Sequence, residues 1–137
     1  MKVLVSAVNF APNRGTVTGN TEAILRWIRR LERRNRSGLP HFILFPEMSL
    51  TGPVTIGGRD SGGYPDILEE CRSAHAALAE ATAGTDAGAA EDMPRLAVLA
   101  GGPVLAGEDL CIGHTLFTGR RARTVHLKSV LGPGESE

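Results

Sequence analysis

The first third of the chain switches between strand-like and helix-like patterns of apolar residues. Apolar side chains alternate or run together between residues 2 and 10, which predicts a strand. The next segment has the spacing of an amphipathic helix, and Asn20 is predicted as its N-cap. The apolar positions on one face of this helix are Ile24, Ile28 and Leu31. The run 42–45 then predicts a buried strand, which Pro46 ends because proline has no backbone donor for the sheet.

The rest of the pattern predicts one more helix and three more strands. A glycine-rich stretch at 51–65 lacks any period and is predicted to be a long loop. Helical spacing then joins the apolar residues Ile67, Cys71, Ala74, Leu78 and Ala81. Short strands are predicted at 95–102, 114–119 and 123–131. This order of elements predicts an α/β fold with a partly parallel sheet.

Composition and charge limit the classes of molecule that we expect this protein to bind. A length of 137 residues and an apolar fraction of 42% suit one domain with a packed core. Fifteen basic and fifteen acidic side chains cancel, so we expect no nucleic acid and no membrane as partner. The arginines between residues 26 and 36 are interpreted as the solvated face of a helix. No apolar run approaches the ~20 residues of a membrane span, and the first residues lack a signal-peptide pattern. We therefore expect a soluble, cytoplasmic protein that acts on a small molecule, with Cys71 and Cys111 as reduced thiols.

Two ionisable residues stand at predicted strand ends. Glu47 directly follows the second strand, and Lys128 lies near the end of the last one. Ligands of α/β sheets bind where the carboxyl ends of strands meet. A carboxylate and an ammonium group brought together there keep each other charged under partial desolvation. The alternative interpretation is an ordinary ion pair or two solvated residues, and such surface pairs contribute less than ~1 kcal/mol.

The segment FPEMSLTG at 45–52 resembles the glutamate signature of the nitrilase superfamily, the carbon-nitrogen hydrolases. Three more segments resemble this family in the same order along the chain. VNFAPNRGTVTGN resembles its opening strand and helix start, LAVLAGGP its next core strand, and HLKSVLGPGE the strand that bears its lysine. The resemblance covers nearly the whole chain. It implies an α/β fold of the α-β-β-α sandwich type, of which residues 1–137 supply the N-terminal part.

The resemblance also implies a reaction. Members of the family hydrolyse or transfer the acyl group of amides, nitriles or carbamoylated amines with a Glu, Lys, Cys set, without metal or organic cofactor. By this resemblance Glu47 is the general base, and Lys128 stabilises the developing negative charge. Glu135 resembles a second glutamate that holds the lysine and the substrate, and Glu137 is a competing candidate. Because part of a sandwich leaves apolar strands uncovered, we expect the chain to form a homo-oligomer.

The sequence departs from the family at the nucleophile. The family's cysteine lies downstream of its lysine, and no cysteine of this chain follows Lys128. Cys71 falls on the apolar face of a predicted helix, which favours a buried structural role. Cys111 precedes His114 by three residues, which leaves open a Cys-His dyad or a metal site, although a local hydrogen-bonding role for His114 is favoured. Two other interpretations remain: a non-catalytic remnant or interaction module with the same fold, and a nucleotide-binding α/β domain that only glycine turns suggest.

Overall fold

A computed structural model describes most of the chain, and within the described residues it contains five strands and two helices. The described ranges are 2–13, 16–53, 64–83, 94–106 and 109–128. The strands are β1 (Leu4–Ala7), β2 (His41–Leu44), β3 (Leu96–Ala106), β4 (Asp109–Thr118) and β5 (Arg121–Leu127). The helices are α1 (Val17–Arg34) and α2 (Tyr64–Ala81). Each of the elements predicted from the apolar pattern is present in the predicted order.

The five strands form one mixed sheet in sequence order, β1-β2-β3-β4-β5. β1, β2 and β3 pair in parallel, while β3, β4 and β5 pair antiparallel. The parallel half follows from the two helical crossovers, and the antiparallel half follows from short connections. The prediction of an α/β fold with a partly parallel sheet is therefore confirmed. The resemblance to an α-β-β-α sandwich corresponds here to one helix layer on one sheet.

Both helices pack on the same face of the sheet. α1 buries Ile24 and Ile28 completely or nearly so, and α2 buries Cys71, Ala74 and Leu78. These predicted apolar positions meet a row of buried sheet residues: Ile43, Leu96, Val98, Ala100 and Phe117. Burial of this apolar area is the main favourable term for the fold. No helix in the described ranges is long and apolar enough to cross a membrane.

The opposite face of the sheet carries apolar side chains that remain accessible. Val5 is 56% exposed, and Leu44 is 36% exposed. Ala7 pairs with Leu44 and Val5 with Phe42, so these residues share one face of β1 and β2. Their neighbours Ser6 and Ile43 point to the helix side. Among the described residues, both helices therefore lie on one face of the sheet, and on the other face Val5 and Leu44 stay accessible.

Asn20 is not the N-cap of α1, so that prediction is wrong. The helix begins at Val17 and Thr16 is its N-cap, one turn earlier than the pattern suggested. Asn20 is only 2% exposed, and its side chain bonds the backbone of two loops. Its Oδ1 accepts the Asn13 N–H at 2.7 Å, while its Nδ2 donates to the Asn13 carbonyl at 2.8 Å and to the Leu50 carbonyl at 3.0 Å. Asn20 thus ties the segment after β1 to the turn after β2.

Candidate functional site

Glu47 lies in a turn that starts where β2 ends. The N–H of Phe45 donates to the Leu99 carbonyl at 2.8 Å, which is the last bond between this segment and β3 before the turn. Pro46 cannot extend the ladder, and its carbonyl accepts the Ser49 N–H at 3.1 Å to close the turn. The glutamate therefore stands at the carboxyl end of a parallel strand, where α/β sheets bind their ligands.

The turn that contains Glu47 packs directly against Gly101 of β3. A β-carbon on Gly101 would overlap the Glu47 carbonyl and lie 2.7 Å from the Glu47 α-carbon, so only glycine fits. Buried Ser49 accepts the Gly101 N–H at 3.0 Å and donates to the Gly101 carbonyl at 3.2 Å. The N–H of Leu50 donates to the same carbonyl at 3.0 Å. The backbone of Glu47 is thus held against the middle of the sheet.

Lys128 reaches Glu47 from the far end of β5. Its backbone N–H donates to the Ile112 carbonyl at 2.8 Å, which fixes the lysine beside β4. Its Nζ lies 3.3 Å from Oε1 of Glu47. The side chains of Lys128 and Glu47 are 25% and 45% exposed. The structure therefore brings together the two residues that the sequence singled out, in a partly desolvated pair that a ligand can still reach.

A β-bulge in β5 determines which way Lys128 faces. Thr115 pairs with Thr124, but the next pair toward the site joins His114 to His126, so Val125 has no partner on β4. One extra residue reverses the alternation of side chains beyond it. Without the bulge, His126 and Lys128 would share the face of Thr124. With it, they share the face of His114.

His114 and His126 line the same face as the acid-amine pair. His114 is the cross-strand partner of Gly101, whose absent side chain would point at Glu47, and directly opposed residues point to the same face. The rings of His114 and His126 are 6.0 Å apart. Burial lowers the pKa of His114, nearby His126 lowers it further, and the Glu47 carboxylate opposes both effects.

Neither cysteine lies on the sheet face that carries Glu47, Lys128 and His114. Cys111 and His114 are three residues apart on β4, and an odd spacing on a strand places two side chains on opposite faces. Cys71 lies on the core-facing side of α2, and burial together with the adjacent Glu70 raises its pKa to about 11. The Cys-His dyad that the sequence left open is therefore not formed. No three His, Cys, Asp or Glu side chains of the described ranges are grouped so that they could hold a metal ion.

Some of the predicted residues are not among those that the structure describes. Glu135 and Glu137 lie outside the described residues, as does most of the predicted loop at 51–65. Sequence reasoning missed His126, Gly101 and the bulge. The HLK segment contained the only local signal for His126, which lies two residues before the predicted lysine and therefore on the same face of a regular strand.

The fold is shared with portions of two longer enzymes. Glutamine-dependent NAD+ synthetase from Acinetobacter baumannii, solved in complex with ADP, has a TM-score of 0.65 and 18% identity over 98% of this chain. A glutamine-dependent NAD(+) synthetase from Cytophaga hutchinsonii has a TM-score of 0.56 and 14% identity over 88% of this chain. The chain spans 23% and 18% of the lengths of those two proteins. Neither protein-family models nor curated protein sequences give a match.

Proposed function

We propose that this chain supplies the glutamate and lysine of a carbon-nitrogen hydrolase that cleaves a non-peptide C–N bond in a small amide, nitrile or N-carbamoyl amine. The observation that carries the proposal is the 3.3 Å contact between Glu47 and Lys128 at two strand ends. The motif resemblance and the fold comparison support it together, because this chain shares its fold with portions of two synthetases that are named as glutamine-dependent.

In the proposed reaction Glu47 acts first as a base. Its carboxylate takes the proton of a cysteine thiol that is neither Cys71 nor Cys111, and the thiolate attacks the carbonyl carbon of an amide substrate. The C–N bond breaks, the nitrogen leaves as ammonia with the proton from Glu47, and a thioester remains. Glu47 then takes a proton from water, and the resulting hydroxide equivalent releases the acid and restores the thiol.

Lys128 serves the same reaction as a fixed cation. Negative charge develops on the carbonyl oxygen when the tetrahedral intermediate forms, and an ammonium group held beside it stabilises that charge. The 3.3 Å contact between the Lys128 Nζ and Oε1 of Glu47 holds the ammonium group beside the candidate base before substrate arrives. Glu135 is proposed as the second glutamate that holds the lysine and substrate, and the reaction needs no metal or organic cofactor.

Among the three substrate classes, amides are favoured. The two synthetases of the same fold are named for their dependence on glutamine, whose side chain ends in a primary amide. The Glu47 side chain is 45% exposed, so a small planar group of this kind can reach it. The accessible side chains of Val5 and Leu44 support the related proposal that the chain forms a homo-oligomer.

A non-catalytic interaction module with this fold is the alternative, and the placement of both cysteines away from Glu47 favours it. A nucleotide-binding domain has less support. The groove of about 550 Å³ between α1 and α2 is lined by four acidic side chains, which would repel phosphates. These four are Glu22, Asp66, Glu69 and Glu70.

Ammonia release tests the proposal. The chain is assayed alone and with any cysteine-bearing polypeptide encoded in frame with it, on a panel of primary amides, nitriles and N-carbamoyl amines. Glu47→Gln should lower the release at least about 100-fold, the usual contribution of a general base. Glu22→Gln removes a carboxylate from an exposed pair on α1 and should leave the rate within twofold. Release that survives Glu47→Gln contradicts the mechanism, and no release under any condition favours the interaction module.

A further inference from the structure

His114 faces the Glu47–Lys128 pair from the neighbouring strand. Gly101 separates the two in the sheet, because it carries the Glu47 turn on one side and pairs with His114 on the other. Glycine offers no side chain between them. The carboxylate of Glu47 is close enough to His114 to raise its pKa against the effect of burial.

The ionisable groups that face His114 are few within the described ranges. Glu47 comes from the turn after β2, His126 from β5, and Lys128 from the end of β5 through its contact with Glu47. β3 presents only Gly101 at this position. Since burial and His126 both lower the pKa of His114, its imidazole is neutral at pH 7 and gains its proton in more acidic solution.

We infer that His114 is a positioning residue for the Glu47–Lys128 pair: as a neutral ring it leaves the carboxylate to Lys128, and as a cation it competes with Lys128 for that carboxylate. The inference rests on the proposed function for its meaning in catalysis. A protonated His114 draws Glu47 toward β4, so the general base and the stabilising cation separate. The Glu47–Lys128 contact should therefore weaken as pH falls and His114 gains its proton.

The first test is an NMR titration of the imidazole Cε1–H signals in the intact chain. Glu47→Gln removes the anion that faces His114, so its titration midpoint should move to lower pH. His126→Asn removes the imidazole that lowers the pKa of His114, so the midpoint should move to higher pH. Glu22→Gln, on the exposed side of α1, should not move it. An unchanged His114 midpoint in Glu47→Gln overturns the inference.

The second test measures the pair itself. A carbodiimide joins a carboxylate directly to a neighbouring amine, and the sequence contains only two lysines, Lys2 and Lys128, so the Glu47–Lys128 product is unambiguous in a mass spectrum. The yield in the wild type is divided by the yield in His114→Asn at each pH. Asparagine keeps a polar side chain but gains no charge, so the ratio should fall as pH falls below the His114 midpoint.

A constant ratio across that range shows that His114 has only a structural role and refutes the inference. Neither measurement requires turnover. Absence of ammonia release would therefore count against the proposed function, whereas the titration and the cross-link decide the role of His114 separately.

Discussion

The backbone of Glu47 rests directly on Gly101, at a place where any β-carbon would overlap the Glu47 carbonyl. Gly101 lies in the middle of β3, where glycine is otherwise unfavourable, so the close approach of the turn accounts for it. The close contact with β3 therefore fixes the position of the Glu47 backbone, and Glu47 is the candidate base.

Gly101→Ala should therefore displace the Glu47 turn. We expect a loss of at least about 2 kcal/mol in the free energy of unfolding, as for overpacked core sites, together with loss of the Glu47–Lys128 cross-link. Urea unfolding and mass spectrometry measure the two effects. Gly102→Ala is the matched control, because the atom nearest to its added methyl is the Leu50 Cβ at 3.1 Å and not a carbonyl that it would overlap, so it should cost less than half as much. Equal losses in both variants would show that the close approach is not specific to Glu47.

Deletion of Val125 should turn Lys128 away from Glu47. The deletion removes the unpaired residue of the bulge, so the side chains beyond it move to the other face of β5. We expect the Glu47–Lys128 cross-link to disappear while the helices and most of the sheet persist in circular dichroism. Val125→Ala keeps the extra residue and should keep the cross-link. A deletion variant that still forms the product would show that the bulge does not set the direction of Lys128.

The stability of the protein should fall in acid because of His75. This residue packs edge-on against Phe117 at 5.3 Å, and burial lowers its pKa from 6.5. The folded state therefore binds fewer protons than the unfolded state, so stability is full above about pH 6.5 and decreases as pH falls toward the folded-state pKa. The slope is at most about 1.4 kcal/mol per pH unit for each such histidine.

His75→Phe keeps a ring on Phe117 but cannot titrate, so it should flatten this part of the dependence. Thermal melts of the two proteins between pH 5 and pH 8 provide the comparison. His114 adds a contribution of the same sign, because its pKa is also lowered. A variant with an unchanged slope would mean that His75 does not contribute.

The elements and the acid-amine pair were predictable because their signals are local. Ile24 and Ile28 repeat with helical spacing, and Glu47 and Lys128 follow recognisable apolar runs. The role of Asn20 was not predictable in this way, since its partners Asn13 and Leu50 come from two separate loops. An asparagine near a helix start has the same local pattern whether it caps the helix or bonds a distant loop.

The direction of Lys128 depends on a pairing that sequence does not display. RTVHLK has the pattern of a regular strand, and the bulge arises only when β5 pairs with β4. His126 was not predicted for the same reason, because it contacts His114 of the neighbouring strand only when β4 and β5 pair. The register between β4 and β5 therefore determines which residues join Glu47 and Lys128 at the site.

The two cysteines should differ sharply in reactivity. Cys71 is 2% exposed and has a pKa of about 11, so at pH 8 it is protonated and shielded from reagents. Cys111 is partly exposed in β4. With iodoacetamide at pH 8, we expect Cys111 to be alkylated at least about 10-fold faster than Cys71, because thiolate content and access control the rate. Peptide mass spectrometry over time gives both rates.

Urea above the unfolding midpoint is the control for this comparison, since it should bring the two rates together. Cys111→Ser leaves Cys71 as the sole thiol and should make the folded protein nearly unreactive. Rapid alkylation of Cys71 in the folded Cys111→Ser variant would contradict its burial on the core-facing side of α2. It would also reopen Cys71 as a nucleophile, whereas the expected inertness means that a thiol serving Glu47 must come from another segment.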